Sequence, residues 1–361
     1  MSTNIAIRTV TPKSATKAIS KAIKHKTPVM LWGPPGIGKS DIVKQIGEAT
    51  NRKVIDIRLA LWDPTDIKGM PYMTSDNYMK WAPPCELPQD KDSDAIIFLD
   101  EIVSAPPATQ AAAYQLTLNR RVGEYVLPDN VDIIAAGNRE SDRGVTYKMP
   151  APLSNRFIHL EMTVSFDDWL SWAVENNIHQ EVVGYLSFAK QDLFDFDSKS
   201  ASKSFATPRS WNFVSNLLKD DDEEIGVLTD LISGSVGDGL AAKFIAHRKI
   251  CGKLPNPNDI LEGKVTDLKI KEVSAMYALT TGLCYELKEL SKKKSKKWHE
   301  YVDNYFNYIM KNFPTELVVM GAKVCISNYD LDIDPTKLKK FDEFYERFGK
   351  YVFDSTDKAN E

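Results

Sequence analysis

Apolar and polar positions follow two regimes along this 361-residue chain. Up to about residue 163, short apolar runs alternate with helical stripes; beyond it, helical spacing alone persists. In the first regime, 11–25 predicts a helix with Ala15, Ala18, Ile19, Ala22 and Ile23 on one face, Thr11 as its cap and Pro12 in its first turn. Runs at 28–33, 54–59, 95–99, 131–136 and 157–160 predict strands, 39–49 and 106–119 predict helices, and 121–127 predicts a small hairpin. Apolar runs separated by helices predict a parallel sheet covered on both faces, an α/β fold.

In the second regime, "FDDWLSWAVENN", "PRSWNFVSNLL" and "VGDGLAAKFIAHRK" predict helices, and "LPNPND" at 254–259 predicts a linker. Helical stripes follow at Val273, Met276, Tyr277, Leu283, Leu287 and Leu290, at Trp298, Tyr301, Val302, Tyr305, Phe306 and Ile309, and at Phe341, Phe344, Tyr345, Phe348 and Val352. They are the stripes of a packed bundle, with a frayed end expected from Asp354. The lysine run at 291–298 suits a solvated corner between helices.

The most specific signal is "GPPGIGKS", which satisfies G-x-x-x-x-G-K-S/T with a strand before it and a helix after it. Backbone N–H groups of Gly33, Pro34, Pro35, Gly36, Ile37 and Gly38, prolines excepted, would face phosphate oxygens. The helix N-terminus and Lys39 add positive charge there, and Ser40 offers a hydroxyl to Mg²⁺. "IIFLDE" carries Asp100 to the end of a buried strand, where its carboxylate can hold the magnesium shell. Glu101 follows, placed to polarise an attacking water; two acids after the strand favour hydrolysis over simple binding. The implied ligands are ATP and Mg²⁺.

Three further polar residues stand at strand and helix ends. Asn138 closes the strand at 131–136 and could reach a γ-phosphate or the water. Arg156, just before the strand at 157–160, suits entry into a neighbouring subunit's site, with Arg139 and Arg143 as substitutes for that role. Arg209, at a helix start in the second regime, suits contact with the γ-phosphate of its own subunit.

In this order, Gly33 to Ser40, Ile96 to Glu101, Asn138, Arg156 and Arg209 resemble Walker A, Walker B, sensor 1, arginine finger and sensor 2 of an AAA+ ATPase. "LDEIVSAPPATQAAAYQLTLNRRV" is similar to the MoxR-type branch, whose members carry D-E-I-x-x-A-P-P-x-T-Q. Departures from that branch stand at Val103-Ser104 (commonly Asn-Arg), Asn138-Arg139 (commonly Asn-Pro) and Asn155-Arg156-Phe157 (commonly Asp-Arg-Phe). The resemblance implies an α/β P-loop core followed by an all-helical lid and a C-terminal helical region. The corresponding expectation is a leader helix over 1–26, the nucleotide-binding domain over 27–163, the lid over 164–255 and the C-terminal region over 256–361. It further implies a homo-oligomer, a hexameric ring, that remodels a protein client in the manner of a chaperone, with a von Willebrand factor A-type protein as the first candidate client. The segment 60–88 would be the branch's helix-two insert, where Trp62, Tyr72, Tyr78 and Trp81 either grip a client or pack onto the sheet. The hairpin at 121–127 resembles its second projecting loop.

Charge and cysteine content narrow the alternatives. A net charge of −4 gives no global basic field for nucleic acid. A nucleic-acid motor would depend on Lys68, Lys80, Arg120 and Arg121, a thin supply. A chelatase-type motor subunit is a related alternative, and a small-molecule phosphotransferase has no use for a finger in trans. Four dispersed cysteines and five histidines give no metal-ligand spacing. With no apolar leader and no span of membrane length, the expectation is a cytoplasmic protein without a membrane partner.

Overall fold

The computed structural model describes residues 8–142, 147–200, 202–219, 225–270, 272–293 and 297–357. Contacts divide the chain into two units, Met1–Asp168 with Asp197–Ala201, and Trp169–Phe196 with Ser202–Glu361.

The first unit opens with β1 (Thr9–Val10) and α1 (Pro12–Lys24). Thr11 accepts the Ser14 N–H at 3.4 Å and Pro12 occupies the first turn, so the helix starts where its orphan donors are met. Its face Ala15, Ile19, Ala22 and Ile23 is buried. Then come β2 (Val29–Trp32), α2 (Lys39–Thr50), β3 (Lys53–Arg58), α3 (Pro64–Lys68), the antiparallel pair β4 (Met70–Met73) and β5 (Met79–Ala82), and β6 (Ala95–Asp100). After α4 (Pro107–Asn119) come a short hairpin, β7 (Arg121–Val122) with β8 (Tyr125–Val126), then β9 (Asp132–Gly137), the turn of helix α5 (Ala151–Ser154) and β10 (Ile158–Met162).

Among the described residues the main sheet is six-stranded and parallel throughout, in the order β1-β10-β2-β9-β6-β3. β9 is buried along its whole length and β6 along all but its last residue, as expected for central strands with layers on both faces. One face packs Met30, Ile57, Ile97, Leu99, Ile133 and Ala135 against Val103, Ala113 and Leu116. The β7–β8 hairpin falls where 121–127 predicts one, whereas two-residue β1 and the β4–β5 hairpin were not legible as strands, because their apolar runs are too short to show a period.

A buried ion pair ties the N-terminal ends of the strands. Arg52 donates to Asp132 Oδ2 at 2.7 Å, to the Ala95 carbonyl at 2.8 Å and to the Asn130 carbonyl at 2.6 Å. It thereby joins the starts of β3, β6 and β9.

The second unit holds α6 (Phe166–Glu175), whose first residues belong to the first unit, α7 (Gln180–Phe188), α8 (Pro208–Leu217), α9 (Ile225–Val236), α10 (Asp238–Cys251) and α11 (Pro257–Leu261). It continues with α12 (Val273–Lys292), α13 (Trp298–Asn312), α14 (Thr315–Lys323) and α15 (Phe341–Asp357). α8 begins on a reciprocal cap, Thr207 with Ser210, and Trp211 beyond it is fully buried with its indole N–H on the Asp192 carbonyl at 2.8 Å. Tyr305, Phe306 and Phe344 form a second aromatic core. Val273 and Tyr345, expected on buried stripes, are exposed; the buried face of α12 begins at Ala275. α15 continues past Asp354 to Asp357 instead of ending there, while 294–296 of the lysine run lie outside the described residues. No described helix is long and apolar enough to cross a membrane. Cys284 and Cys325 are buried and Cys85 is exposed, all as free thiols.

His247 on α10 is buried against Tyr185 and Phe188, and neither ring nitrogen has a hydrogen-bond partner among the described residues. Burial pushes its pKa below the usual 6.5, with nearby Glu181 opposing. The neutral ring is therefore the folded form. Its stabilisation is complete above the unfolded pKa and is lost as pH falls through the depressed folded value. We expect the thermal midpoint to fall below about pH 6.5, with a slope of at most about 1.4 kcal/mol per pH unit from this one group. His247→Leu should flatten that slope; an unchanged pH profile in this variant would assign the loss to other groups.

Candidate nucleotide site

Sheet order creates the site. β9 lies between β2 and β6, so the C-terminal ends of three parallel strands meet at one edge of the sheet. Trp32 on β2 is in register with Gly137 on β9, and Leu99 on β6 with Ala135. The next residues are therefore Gly33, Asn138 and Asp100, brought together by backbone pairing alone.

The loop from Gly33 to Gly38 enters α2 through Gly38, whose φ of 94° belongs to the left-handed region open to glycine. No side chain caps that helix start, so its first N–H groups remain for an anion. Lys39 folds back over the loop. Its ammonium donates to the Gly33 carbonyl at 2.7 Å, to the Pro34 carbonyl at 2.9 Å and to Asn138 Oδ1 at 2.9 Å. Ser40, next on the helix, donates its hydroxyl to Asp100 Oδ2 at 3.1 Å. Four residues chosen from sequence (Lys39, Ser40, Asp100 and Asn138) are thus joined pairwise at one sheet edge. The Ser40 hydroxyl and Asp100 carboxylate are hard oxygen donors side by side, which fits Mg²⁺, and the lysine beside the helix start fits phosphate.

The neighbouring charge is consistent with a cation there. Asp56 on β3 titrates above the usual carboxylate range, through burial and then through repulsion by Asp100. Glu101 is exposed and stands in the left-handed region at φ 55°, its N–H donating to Asp100 Oδ1 at 2.9 Å. That reversal directs the chain out of β6 immediately after the metal-type carboxylate. It also lets Val103, where the branch commonly has Asn, turn back into the core beneath Gly137.

Arg156 lies in the same unit on the turn between α5 and β10, exposed and without an ion-pair partner among the described residues. Arg139 does the opposite. It is partly buried and binds Asp142, through Nε at 3.1 Å and through its backbone N–H at 2.9 Å, and Glu161, through Nη1 at 2.9 Å. Burial works against its charge, but the hydrogen bonds it donates to Asp142 and Glu161 prevail and raise its pKa. Arg139 is thus engaged by carboxylates of its own chain, unlike the exposed Arg156; Arg143 lies outside the described residues. Arg209 is exposed near the start of α8, in the second unit.

Residues 28–157 match the family model described as the AAA domain of the dynein-related subfamily. These residues are an AAA+ domain. Midasin of Giardia intestinalis is 28% identical over 166 residues, which is 44% of this chain. The chain spans only 3% of that protein's length. Among solved structures, NtrX from Brucella abortus in complex with ADP is 13% identical with a TM-score of 0.39, covering 79% of this chain and 66% of that one. A variant of RuvB from Thermotoga maritima is 14% identical with a TM-score of 0.37, covering 83% and 85%.

Two sets of polar residues at the AAA+ domain's site had no motif to announce them. One is the Arg139–Asp142–Glu161 cluster, for which Arg139 in place of proline was the available signal. The other joins Trp32, His159 and Ser154. Their partners lie on separate strands, so only the sheet register brings them together.

Lys39→Ala removes an ammonium that the site holds beside the phosphate loop. ATP affinity, measured by titration of a fluorescent nucleotide, should fall by about ten- to a hundredfold, as for loss of a charge-assisted contact. Undiminished affinity would remove the loop from the role of phosphate cradle.

Proposed function

We propose that this chain is a Mg²⁺-dependent ATPase of the MoxR-like branch that works as a hexameric ring and remodels a protein client. The observation that carries this reading is the convergence of Lys39, Ser40, Asp100 and Asn138, together with an Arg156 in the same unit that is exposed and has no ion-pair partner among the described residues. A site complete in one subunit would use its arginine in place; an unpaired arginine at a strand start suits a neighbour's site.

In this reading Lys39 and the loop N–H groups bind the β- and γ-phosphates, and Ser40 and Asp100 would hold a magnesium ion, which would neutralise phosphate charge. Glu101 accepts the proton of the attacking water, and Asn138 orients that water. Arg156 of the adjacent subunit stabilises charge on the transferring group. Arg209 on the helical lid would report the γ-phosphate to its own subunit. Deleting the base should cost about two to four orders of magnitude in rate.

The insert supports a protein client. β4 and β5 form a hairpin with Met70, Tyr72, Met73, Tyr78 and Met79 all exposed, a concentration of apolar surface unusual outside an interface. Trp62 and Trp81 serve differently. Trp62 packs on the core and Trp81 lies against Gly123 of the second hairpin, so these two rings hold the insert in place. Gly69 closes the hairpin's base, where a Cβ would come 1.8 Å from the Ala82 carbonyl oxygen. A von Willebrand factor A-type protein is the first client to try.

A nucleic-acid motor is less well supported. Arg120 spends its guanidinium on the carbonyls of Pro128 and Val131, at 2.5 and 2.8 Å, and Arg121 bonds the Gly123 carbonyl at 3.0 Å. The basic residues available to that reading are thus partly occupied. A chelatase-type subunit remains a variant of the ring reading with a different client.

Glu101→Gln should bind ATP and assemble. Its solution mass, by light scattering, should rise to that of a ring with ATP and Mg²⁺ and fall back without them; a monomer under both conditions would refute the ring. Arg156→Ala should abolish turnover and regain it when mixed with Glu101→Gln subunits, which supply the finger but cannot hydrolyse. Absence of regained turnover would refute an arginine acting in trans.

A further inference from the structure

One polar chain connects the phosphate loop to the turn that carries Arg156, and every link lies within the first unit. Trp32 immediately precedes Gly33. Its indole N–H donates to His159 Nδ1 at 2.8 Å. An indole nitrogen only donates, so Nδ1 is the accepting nitrogen and Nε2 carries the hydrogen. His159 Nε2 then donates to the Ser154 carbonyl at 2.7 Å, with the Ser154 hydroxyl at 3.2 Å. Both ring nitrogens are used, each in the single role the tautomer allows.

Ser154 is the last residue of α5, two positions before Arg156. On the other side of Arg156, Phe157 is buried and meets the His159 ring edge-on at 6.4 Å between centroids. The Arg156 N–H donates to the carbonyl of Leu153, itself fully buried. The backbone of Arg156 is therefore fixed on both flanks while its guanidinium stays exposed. His159 makes the one side-chain link among these from that turn to the strand feeding the phosphate loop. At the loop end, the Gly33 N–H donates to the Gly137 carbonyl at 3.3 Å, and the Gly33 carbonyl accepts from Lys39 at 2.7 Å.

We propose that His159 is a positioning residue: through Trp32 and Ser154 it sets the Arg156 that a subunit presents to its neighbour, in register with that subunit's own phosphate loop. This rests on the trans-arginine reading above. It adds to that reading a direction of signalling, in which a shift of the loop of one subunit is passed to the arginine serving the next. An arginine finger acts through placement, and a misplacement of about 1 Å can cost on the order of a hundredfold in rate.

The test uses mixed rings of the full chain, with Arg156→Ala subunits as acceptors and Glu101→Gln subunits as donors of the finger. His159→Ala is placed in the donor in one mixture and in the acceptor in another, at matched assembly by light scattering. The proposal expects turnover lost by about ten- to a hundredfold with the substitution in the donor, and a loss at least about tenfold smaller with it in the acceptor. Equal losses in the two positions mean a general structural role and overturn the proposal, as does undiminished turnover in both. Failure of the unsubstituted donor to restore turnover would remove the trans-arginine reading and this role with it. If His159→Ala subunits do not assemble, Trp32→Phe, which deletes one N–H and keeps an aromatic ring, replaces it in both positions. A donor-specific loss of about threefold or more then supports the link, on the scale of one neutral hydrogen bond, and its absence overturns it.

Discussion

Everything at the site depends on β9 running parallel between β2 and β6. Buried central strands carry no polar side chain that lacks a partner, so polar chemistry is confined to their ends. Parallel pairing puts like ends together. Gly33, Asn138 and Asp100 each occupy the first positions free of that constraint, which is why a loop, an amide and a carboxylate distant in sequence become neighbours. Moving β9 to an edge would leave each strand intact and dissolve the site.

The opposite edge of the sheet carries the compensating staple. Arg52 meets Asp132 and the carbonyls of Ala95 and Asn130 where β3, β6 and β9 begin. A buried pair of this kind adds little net stability over an apolar replacement, but removing one partner leaves a buried charge at a cost of about 3–5 kcal/mol. Its contribution is therefore to specificity of arrangement. It favours the strand order that the site needs and penalises others.

Much of this was legible in the sequence where local signals and motif coincide. The loop at Gly33 to Ser40, the acids at Asp100 and Glu101, and Asn138 each follow an apolar run of strand length, so pattern and chemistry point to the same residues. The α/β fold followed by helices was legible for the same reason. The insert's hairpin was not, because Met70, Tyr72 and Met79 alternate with no buried face and so show no strand period. Nor were Val273 and Tyr345 distinguishable from their buried neighbours, since helical spacing marks a stripe without saying where the stripe leaves the core. Least legible were the Trp32–His159 and Arg139–Glu161 pairs. Their partners are 127 and 22 residues apart and meet only through the register of β10 on β2.

The two arginines near the ends of β9 and α5 show why residue type alone does not rank candidates for a finger. Both are arginines close to a strand terminus, and either could be drawn toward a phosphate. Arg139 faces Asp142, almost fully buried, and Glu161, partly buried. Withdrawing it from them would strand two carboxylates, one of them with little access to water. That penalty, a few kcal/mol on the scale of a broken buried pair, opposes its withdrawal. It also gives Arg139 a use. From the end of β9 it reaches Glu161 on β10 across the intervening β2, bracing the two strands on either side of the phosphate loop. Arg156 has no carboxylate partner among the described residues and a backbone held on both flanks, so its guanidinium can be offered outward at little cost. The division of labour follows from burial of the partners: the arginine with buried carboxylates braces the site, and the arginine without them among the described residues suits the role in trans proposed for it.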